Sequence, residues 1–384
     1  MLKELRVKNF KGFKDELVFD LSSGRYEFNQ HIIQNNIVNK AIVFGKNGSG
    51  KTILGLAIFD IIYHLTDKKK FNPSISNCPY LNAYSLDNEY AVFIYTFVFN
   101  SMNIRYEYGK RSSEDLVYEK LTVNNSILIN FYKTNGVSQE QHFVSEELYG
   151  QLDINRIKAE CINSKLSILK YIYSRIPEDK ETALYKIIYF CEHMLWYRCL
   201  SNGNEYAGYS LGTRSIFKSL YENKKVIDFQ NFLMKNDINY TLKFRPNTDI
   251  QSQDDRQSLY VVFGNKKMTK FESIASTGTQ ALSLYFYWKT VAFNDLSFLF
   301  IDEFDAFLHY QSAELILSQL NNLNNFQTIV TTHNTSLMNN NITRPDCCYI
   351  IANGQIKSLY NCTDREIREA HNLEKMYHNG VFDE

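Results

Sequence analysis

Eight residues, Gly45-Lys46-Asn47-Gly48-Ser49-Gly50-Lys51-Thr52, constrain the fold of this chain more than any other stretch. They fit G-x-x-x-x-G-K-[ST], a phosphate-cradling loop that needs a strand before it and a helix after it. Both are legible. Ala41 to Phe44 is a short apolar run suited to a buried strand. Ile53, Leu54, Ala57, Ile58, Ile61, Ile62 and Leu65 then recur at helical spacing. Gly45, Gly48 and Gly50 let the backbone turn tightly enough for successive N–H groups to converge on phosphate oxygens, and Asn47 and Ser49 complete the loop. Lys51 offers a cation to the β- and γ-phosphates, the Thr52 hydroxyl a ligand to Mg²⁺, and the helix beginning at Lys51 the positive end of its dipole. A chain with this loop is expected to bind a nucleoside triphosphate.

The 384 residues carry 42 basic and 42 acidic side chains, so no global field draws the chain to nucleic acid or to an acidic membrane. No apolar run approaches the roughly 18 to 20 residues of a membrane span. The start, Met1-Leu2-Lys3-Glu4-Leu5, leads into a strand-like pattern and not a signal peptide. Seven cysteines, none in a C-x-x-C pair, argue against structural zinc and a disulfide framework. These features together predict a reduced, cytoplasmic protein with no membrane attachment.

Residues 2 to 20 read as two strands, and strands follow at 91–99, 104–108, 116–123 and 127–132, with Asn124-Asn125 as a hairpin turn. From about Ser145 to Asn236 apolar residues fall at three- and four-residue intervals, as in Ile187, Ile188, Phe190, Cys191, Met194 and Leu195, which predicts helices. Strands return at 240–244 and 259–263, a helix at 277–293, and strands at 297–302, 328–332, 349–351 and 356–360. The expected fold class is α/β: an N-terminal half over 1–140, a helical insertion over 141–238, and a C-terminal half over 239–384 that joins the first around a split nucleotide site.

The second half of that site is readable. Ser297 to Asp302 is an apolar strand ending in Asp302-Glu303, a Walker B pattern in which Asp302 holds Mg²⁺ and Glu303 orients or deprotonates the attacking water. Thr328 to Thr332 is another apolar strand, ending at His333. Ser276 and Gly278, just before a helix, turn a hydroxyl and backbone N–H groups towards an anion. Two other clusters read as structure. Cys191-Glu192-His193 fits a helix face, and Arg365 and His371, spaced like an RNase motif, fit a polar C-terminal helix.

These four elements in this order resemble the ABC-type ATPases, more narrowly the RecF/SMC/OLD branch. Leu5-Arg6-Val7-Lys8-Asn9-Phe10-Lys11-Gly12-Phe13 is similar to that branch's N-terminal segment, and Ile301 to His309 to its Walker B and D-loop. Thr331 to Met338 and the tail Leu373 to Gly380 resemble stand-alone anti-phage (AriA-like, abortive-infection) ATPases. The resemblance covers about residues 1–135 and 240–384. It implies an ABC-ATPase head with an antiparallel β subdomain and an inserted helical lobe, with ATP and Mg²⁺ as ligands. Lys51, Glu303 and His333 would be the catalytic residues, His333 as the switch histidine at the γ-phosphate. Ser276 and Gly278 would reach the nucleotide of another subunit, so a complete site needs a homodimer or higher homo-oligomer. Two departures stand out. Thr277 occupies the first Gly of the transporter-type Ser-Gly-Gly, and the segment before or within Ala91 to Phe99 lacks the Q-loop glutamine. About fifty residues follow His333, too few for a TOPRIM nuclease domain. The resemblance therefore implies a sensor ATPase with a separately encoded effector (toxin or nuclease), triggered by a phage protein or DNA. The alternatives are a RecF-like DNA repair ATPase and, more remotely, a transporter subunit.

Overall fold

The structure is a computed structural model and describes residues 1–66, 79–133, 142–149, 153–162, 166–199, 206–209, 216–246 and 257–382. The first part of the chain runs β1 (Leu2–Lys8), β2 (Leu17–Asp20), the short pair β3 (Ile33–Gln34) and β4 (Ile37–Val38), then β5 (Lys40–Phe44) and α1 (Lys51–Leu65). Next come β6 (Ala91–Phe99), β7 (Met102–Lys110), β8 (Leu116–Val123), β9 (Ser126–Tyr132) and β10 (His142–Val144). Helices α2 (Glu146–Tyr149), α3 (Ile154–Ile162), α4 (Ile168–Tyr173) and α5 (Ala183–Glu192) precede β11 (Met194–Arg198) and β12 (Tyr206–Gly208). Beyond them lie α6 (Ile216–Glu222), α7 (Val226–Met234), β13 (Thr241–Pro246), β14 (Gln257–Val262), β15 (Met268–Lys270), α8 (Phe271–Ile274) and α9 (Thr277–Val291). The chain closes with β16 (Phe298–Asp302), α10 (Tyr310–Asn321), β17 (Gln327–Thr332), β18 (Cys348–Ala352), β19 (Gln355–Ser358) and α11 (Leu373–His378).

Two seven-stranded sheets organise these elements. One is antiparallel, in the order β10-β9-β8-β7-β6-β1-β2. Its β8–β9 turn is Asn124-Asn125, with φ of 45° and 70°. Asparagine tolerates this left-handed region, and two such residues in succession give the tight hairpin that suits strand twist. The other sheet has the order β12-β11-β16-β17-β5-β18-β19, with β11, β16, β17, β5 and β18 parallel. Its strands alternate between two cores. Ala41, Val43, Trp196, Phe298 and Phe300 face α1 and the antiparallel sheet. Ile42, Phe44, Leu195, Tyr197, Leu299 and Ile301 face α9, α10 and the small β13-β14-β15 sheet. Both faces are covered, which is why these strands read as unbroken apolar runs. Helix α1 lies close on its face: a Cβ at Gly55 would sit 2.8 Å from the Phe300 ring.

One expectation is corrected. Residues 194–198 fall inside the stretch read as helical over 141–238, yet they form β11, paired in parallel with the strand that carries Asp302. Helix α5 stops at Glu192, and Met194 and Leu195 belong to the strand. A second correction concerns Arg365 and His371. They lie in an irregular segment before α11, where Arg368 N–H donates to His371 Nδ1 at 3.1 Å.

Candidate functional site

In a parallel sheet the C-terminal strand ends lie flush, and loops leaving them share one rim. Here β5 ends at the octet, β17 at His333, β16 at Asp302-Glu303 and β11 at Arg198. Strand β17 lies between β5 and β16, so the octet and Asp302 meet across one intervening strand.

Gly48 and Gly50 have φ of 76° and 106°, the left-handed region in which a Cβ is costly. Gly45 has a different constraint: a Cβ there would collide with the Ser49 hydroxyl and lie 2.8 Å from Ile351. The Lys51 ammonium folds back into its own loop, donating to Gly45 O at 2.8 Å and Lys46 O at 3.2 Å, and lies 3.0 Å from His333 Nε2. Burial pulls this ammonium below the ordinary lysine value, while Glu303, Asp302 and Asp305 pull it up. The Ser49 hydroxyl is buried without a hydrogen-bond partner. An orphaned hydroxyl, a lysine held by loop carbonyls and a glycine cradle together fit a phosphate group.

Asp302 is wholly buried. Its Oδ2 accepts from the Thr52 hydroxyl at 2.8 Å and its Oδ1 from the Thr331 hydroxyl at 2.8 Å. A hydroxyl and a carboxylate in contact are the hard-oxygen donors that suit Mg²⁺. Glu303 adopts φ of 50°, turning its side chain out of the strand while its N–H donates to Thr331 Oγ1 at 2.8 Å. Its carboxylate lies 3.7 Å from His333 Nε2. Asn47, Glu303, Asp305, Ala306, His333 and Asn334 line an open cleft of about 540 Å³. Burial raises the Asp305 carboxyl, opposed by hydrogen bonds from Thr332 and Asn334. Among the described residues no group of three or more histidine, cysteine or acidic side chains could hold a metal ion.

Ser276 caps α9, its Oγ accepting from Thr279 N at 3.2 Å. Gly278 abuts its own D-loop, where a Cβ would lie 2.6 Å from Phe307 O. Neither residue lines the cleft beside Glu303. Lys51, Thr52, Asp302, Glu303 and His333 are thus brought together, and Ser276 and Gly278 are not placed with them. Sequence reasoning missed three participants: Thr331, Asp305 and Arg198. The Arg198 guanidinium Nε lies 3.2 Å from Asp302 Oδ2. Nearby, Cys199 N–H donates to Asp302 O at 3.3 Å.

Residues 197–339 match the family described as "AAA domain, putative AbiEii toxin, Type IV TA system". That match takes in Ser276, Gly278, Asp302, Glu303 and His333. No curated protein matches the chain. Similar solved structures include an SMC head bound to the C-winged helix domain of ScpA, at 14% identity and TM-score 0.44, covering 94% of this chain and 98% of that one. The SMC head domain from Thermotoga maritima is similar at 16% identity and TM-score 0.42, covering 93% and 98%. The recombination mediator protein RecF with ATP is similar at 15% identity and TM-score 0.41, covering 94% and 99%. Among the described residues, no helix is long and apolar enough to cross a membrane. The six described cysteines are buried and form no disulfide among the described residues.

Proposed function

We propose that the chain binds and hydrolyses ATP as the sensor or regulatory subunit of a bacterial anti-phage, abortive-infection system whose effector is a separate protein. The observation that carries the ATPase reading is the convergence of Lys51, Thr52, Asp302, Glu303 and His333 on one rim of the parallel sheet. Lys51 would release its loop carbonyls and turn its ammonium to the β- and γ-phosphates. Thr52 and Asp302 would hold Mg²⁺, which supplies charge neutralisation on the phosphates. Glu303, set off the strand by its left-handed backbone, orients the attacking water and takes its proton, and His333 contacts the γ-phosphate from the next strand. Ser276 and Gly278 do not line this cleft, which supports their service to a second subunit in a homodimer or higher homo-oligomer. ATP then joins subunits and its hydrolysis releases them.

The toxin–antitoxin wording attached to the matched family supports a partnership with a separate toxin or nuclease. The helices between 146 and 192 and those at 216–234 are the proposed recognition surface for a phage protein or effector, and the cytoplasm is the proposed compartment. Wild type should hydrolyse ATP, Lys51→Ala should bind no nucleotide, and Glu303→Gln should accumulate an ATP-bound dimer by light scattering. A Glu303→Gln variant that turns over ATP at the wild-type rate would refute the residue assignment. Purification with the products of flanking genes tests the biological role. A co-eluting toxin or nuclease supports defence. ATPase activity stimulated by DNA and lost steeply with salt would instead favour the repair reading.

A further inference from the structure

We propose that Arg198 is a built-in counter-ion of Asp302 that stands in for the divalent cation before nucleotide binds, and so sets how much Mg²⁺ the site requires. The inference rests on the reading of Thr52 and Asp302 as the Mg²⁺ holders. Four observations carry it. Parallel pairing of β11 with β16 puts Arg198 in register with Asp302. The guanidinium Nε lies 3.2 Å from Oδ2, the same oxygen that accepts the Thr52 hydroxyl, whereas Oδ1 is occupied by Thr331. Arg198 Nε has no hydrogen-bond partner, so its contact with Asp302 is one of charge and not of an aligned bond. Finally, the Arg198 side chain is 21% exposed while that of Asp302 is fully buried, so the arginine has a route to solvent and the carboxylate has none.

A fully buried carboxylate is costly without a compensating charge. An arginine stays protonated at any physiological pH, so its charge is always available to Asp302. Because it is not locked by a directional bond, it can withdraw when a cation arrives between Thr52 and Oδ2. The cation nevertheless enters a positive field, and that field weakens its binding. Arg198 is therefore a positioning residue: it offsets the charge of Asp302 and holds the carboxylate aimed at Thr52, at the expense of metal affinity.

The test uses the full chain, a fluorescent ATP analogue and a Mg²⁺ titration, with Arg198→Met and Arg198→Lys beside wild type. Arg198→Met should lower the Mg²⁺ needed for half-maximal analogue binding by about tenfold, the effect of removing one close like charge. Arg198→Lys keeps the charge and should stay within about twofold of wild type. Thermal melts give a second readout. Arg198→Met should melt below wild type in EDTA and regain the wild-type midpoint with Mg²⁺ and analogue, because the metal then supplies the missing charge. A merely structural arginine would lower both midpoints alike, and that result overturns the proposal. An unchanged or raised Mg²⁺ requirement in Arg198→Met overturns it too. If wild type itself shows no Mg²⁺-dependent analogue binding, the ATPase reading fails first, before any variant is compared.

Discussion

Thr331→Val removes one hydroxyl and keeps the shape and β-branching of the side chain, so it isolates what that hydroxyl does. Thr331 is fully buried in β17. Its Oγ1 donates to Asp302 Oδ1 and accepts from Glu303 N–H, both at 2.8 Å. Loss of the bond to the ionised carboxylate costs about 1.5 to 3 kcal/mol, and an orphaned amide about 1 to 3 kcal/mol more. The Glu303 side chain is 17% exposed, so water can reach its neighbourhood and the second cost falls at the low end. The sum is about 3 kcal/mol. Thr331→Ser keeps the hydroxyl and loses one methyl, at about 1 kcal/mol. Equilibrium urea unfolding at pH 7 without nucleotide should therefore rank wild type, Thr331→Ser and Thr331→Val, with about 2 kcal/mol between the two variants. Thr331→Val should also lose ATP turnover, because nothing then ties the Glu303 amide to β17. If the two variants unfold within about 0.5 kcal/mol of each other, the hydroxyl is not bridging the two acids and the geometry of the site is wrong.

Two further perturbations probe other parts of the structure. Lys40 is buried, its ammonium donating to Phe326 O at 2.6 Å and Thr328 Oγ1 at 3.1 Å, and desolvation lowers it to about 7. The unfolded chain then binds the extra proton between about pH 7 and the ordinary lysine value, so wild-type stability should rise with pH in that window, by at most about 1.4 kcal/mol per unit. Lys40→Met should flatten this rise in urea midpoints measured from pH 7 to 9, and a slope unchanged from wild type would contradict it. Gly278→Ala places a Cβ 2.6 Å from Phe307 O, a backbone atom with little freedom, and should cost about 1 to 3 kcal/mol by thermal or urea unfolding. It should also weaken ATP-dependent dimerisation, since α9 and the D-loop shift together. Wild-type behaviour in both assays would refute the contact.

The parts of the site that sequence made legible are those with a local chemical signature. The octet needs left-handed glycines and a following helix, so β5, α1, Lys51 and Thr52 could be placed from residue types alone. The antiparallel sheet was legible because its strands alternate and because Asn124-Asn125 marks a turn. Strand β11 carried no such mark. Met194 and Trp196 are buried in one core and Leu195 and Tyr197 in the other, so its pattern has no period of two. His193 alone separates it from α5, with no Gly or Pro to announce a change, and the helical spacing of Ile187 to Cys191 runs straight into it. Missing the strand meant missing Arg198. Arg365 and His371 failed in the opposite sense. Their charged surroundings suggested helix, yet the helix begins only after Asn372, whose side chain accepts from Lys375 N at 2.8 Å.

Asp302 explains why the missed strand matters. Three elements besides its own reach its carboxylate: α1 through Thr52, β17 through Thr331 and β11 through Arg198. The contacts from β17 and β11 depend on strand register, and that from α1 on the octet that joins it to β5. A slip of β11 by one residue would swing Arg198 to the opposite face of the sheet and bury the carboxylate without its arginine. The one-residue link at His193 makes such a slip hard, because α5 is itself packed into the core through Leu184, Ile187, Ile188 and Cys191. The helices before β11 therefore do not form an appendage with its own energetics. Their packing holds the register that places a cation on the acid at the centre of the site, and substitutions in α5 should register first as altered Mg²⁺ dependence, ahead of any loss of nucleotide binding at the octet.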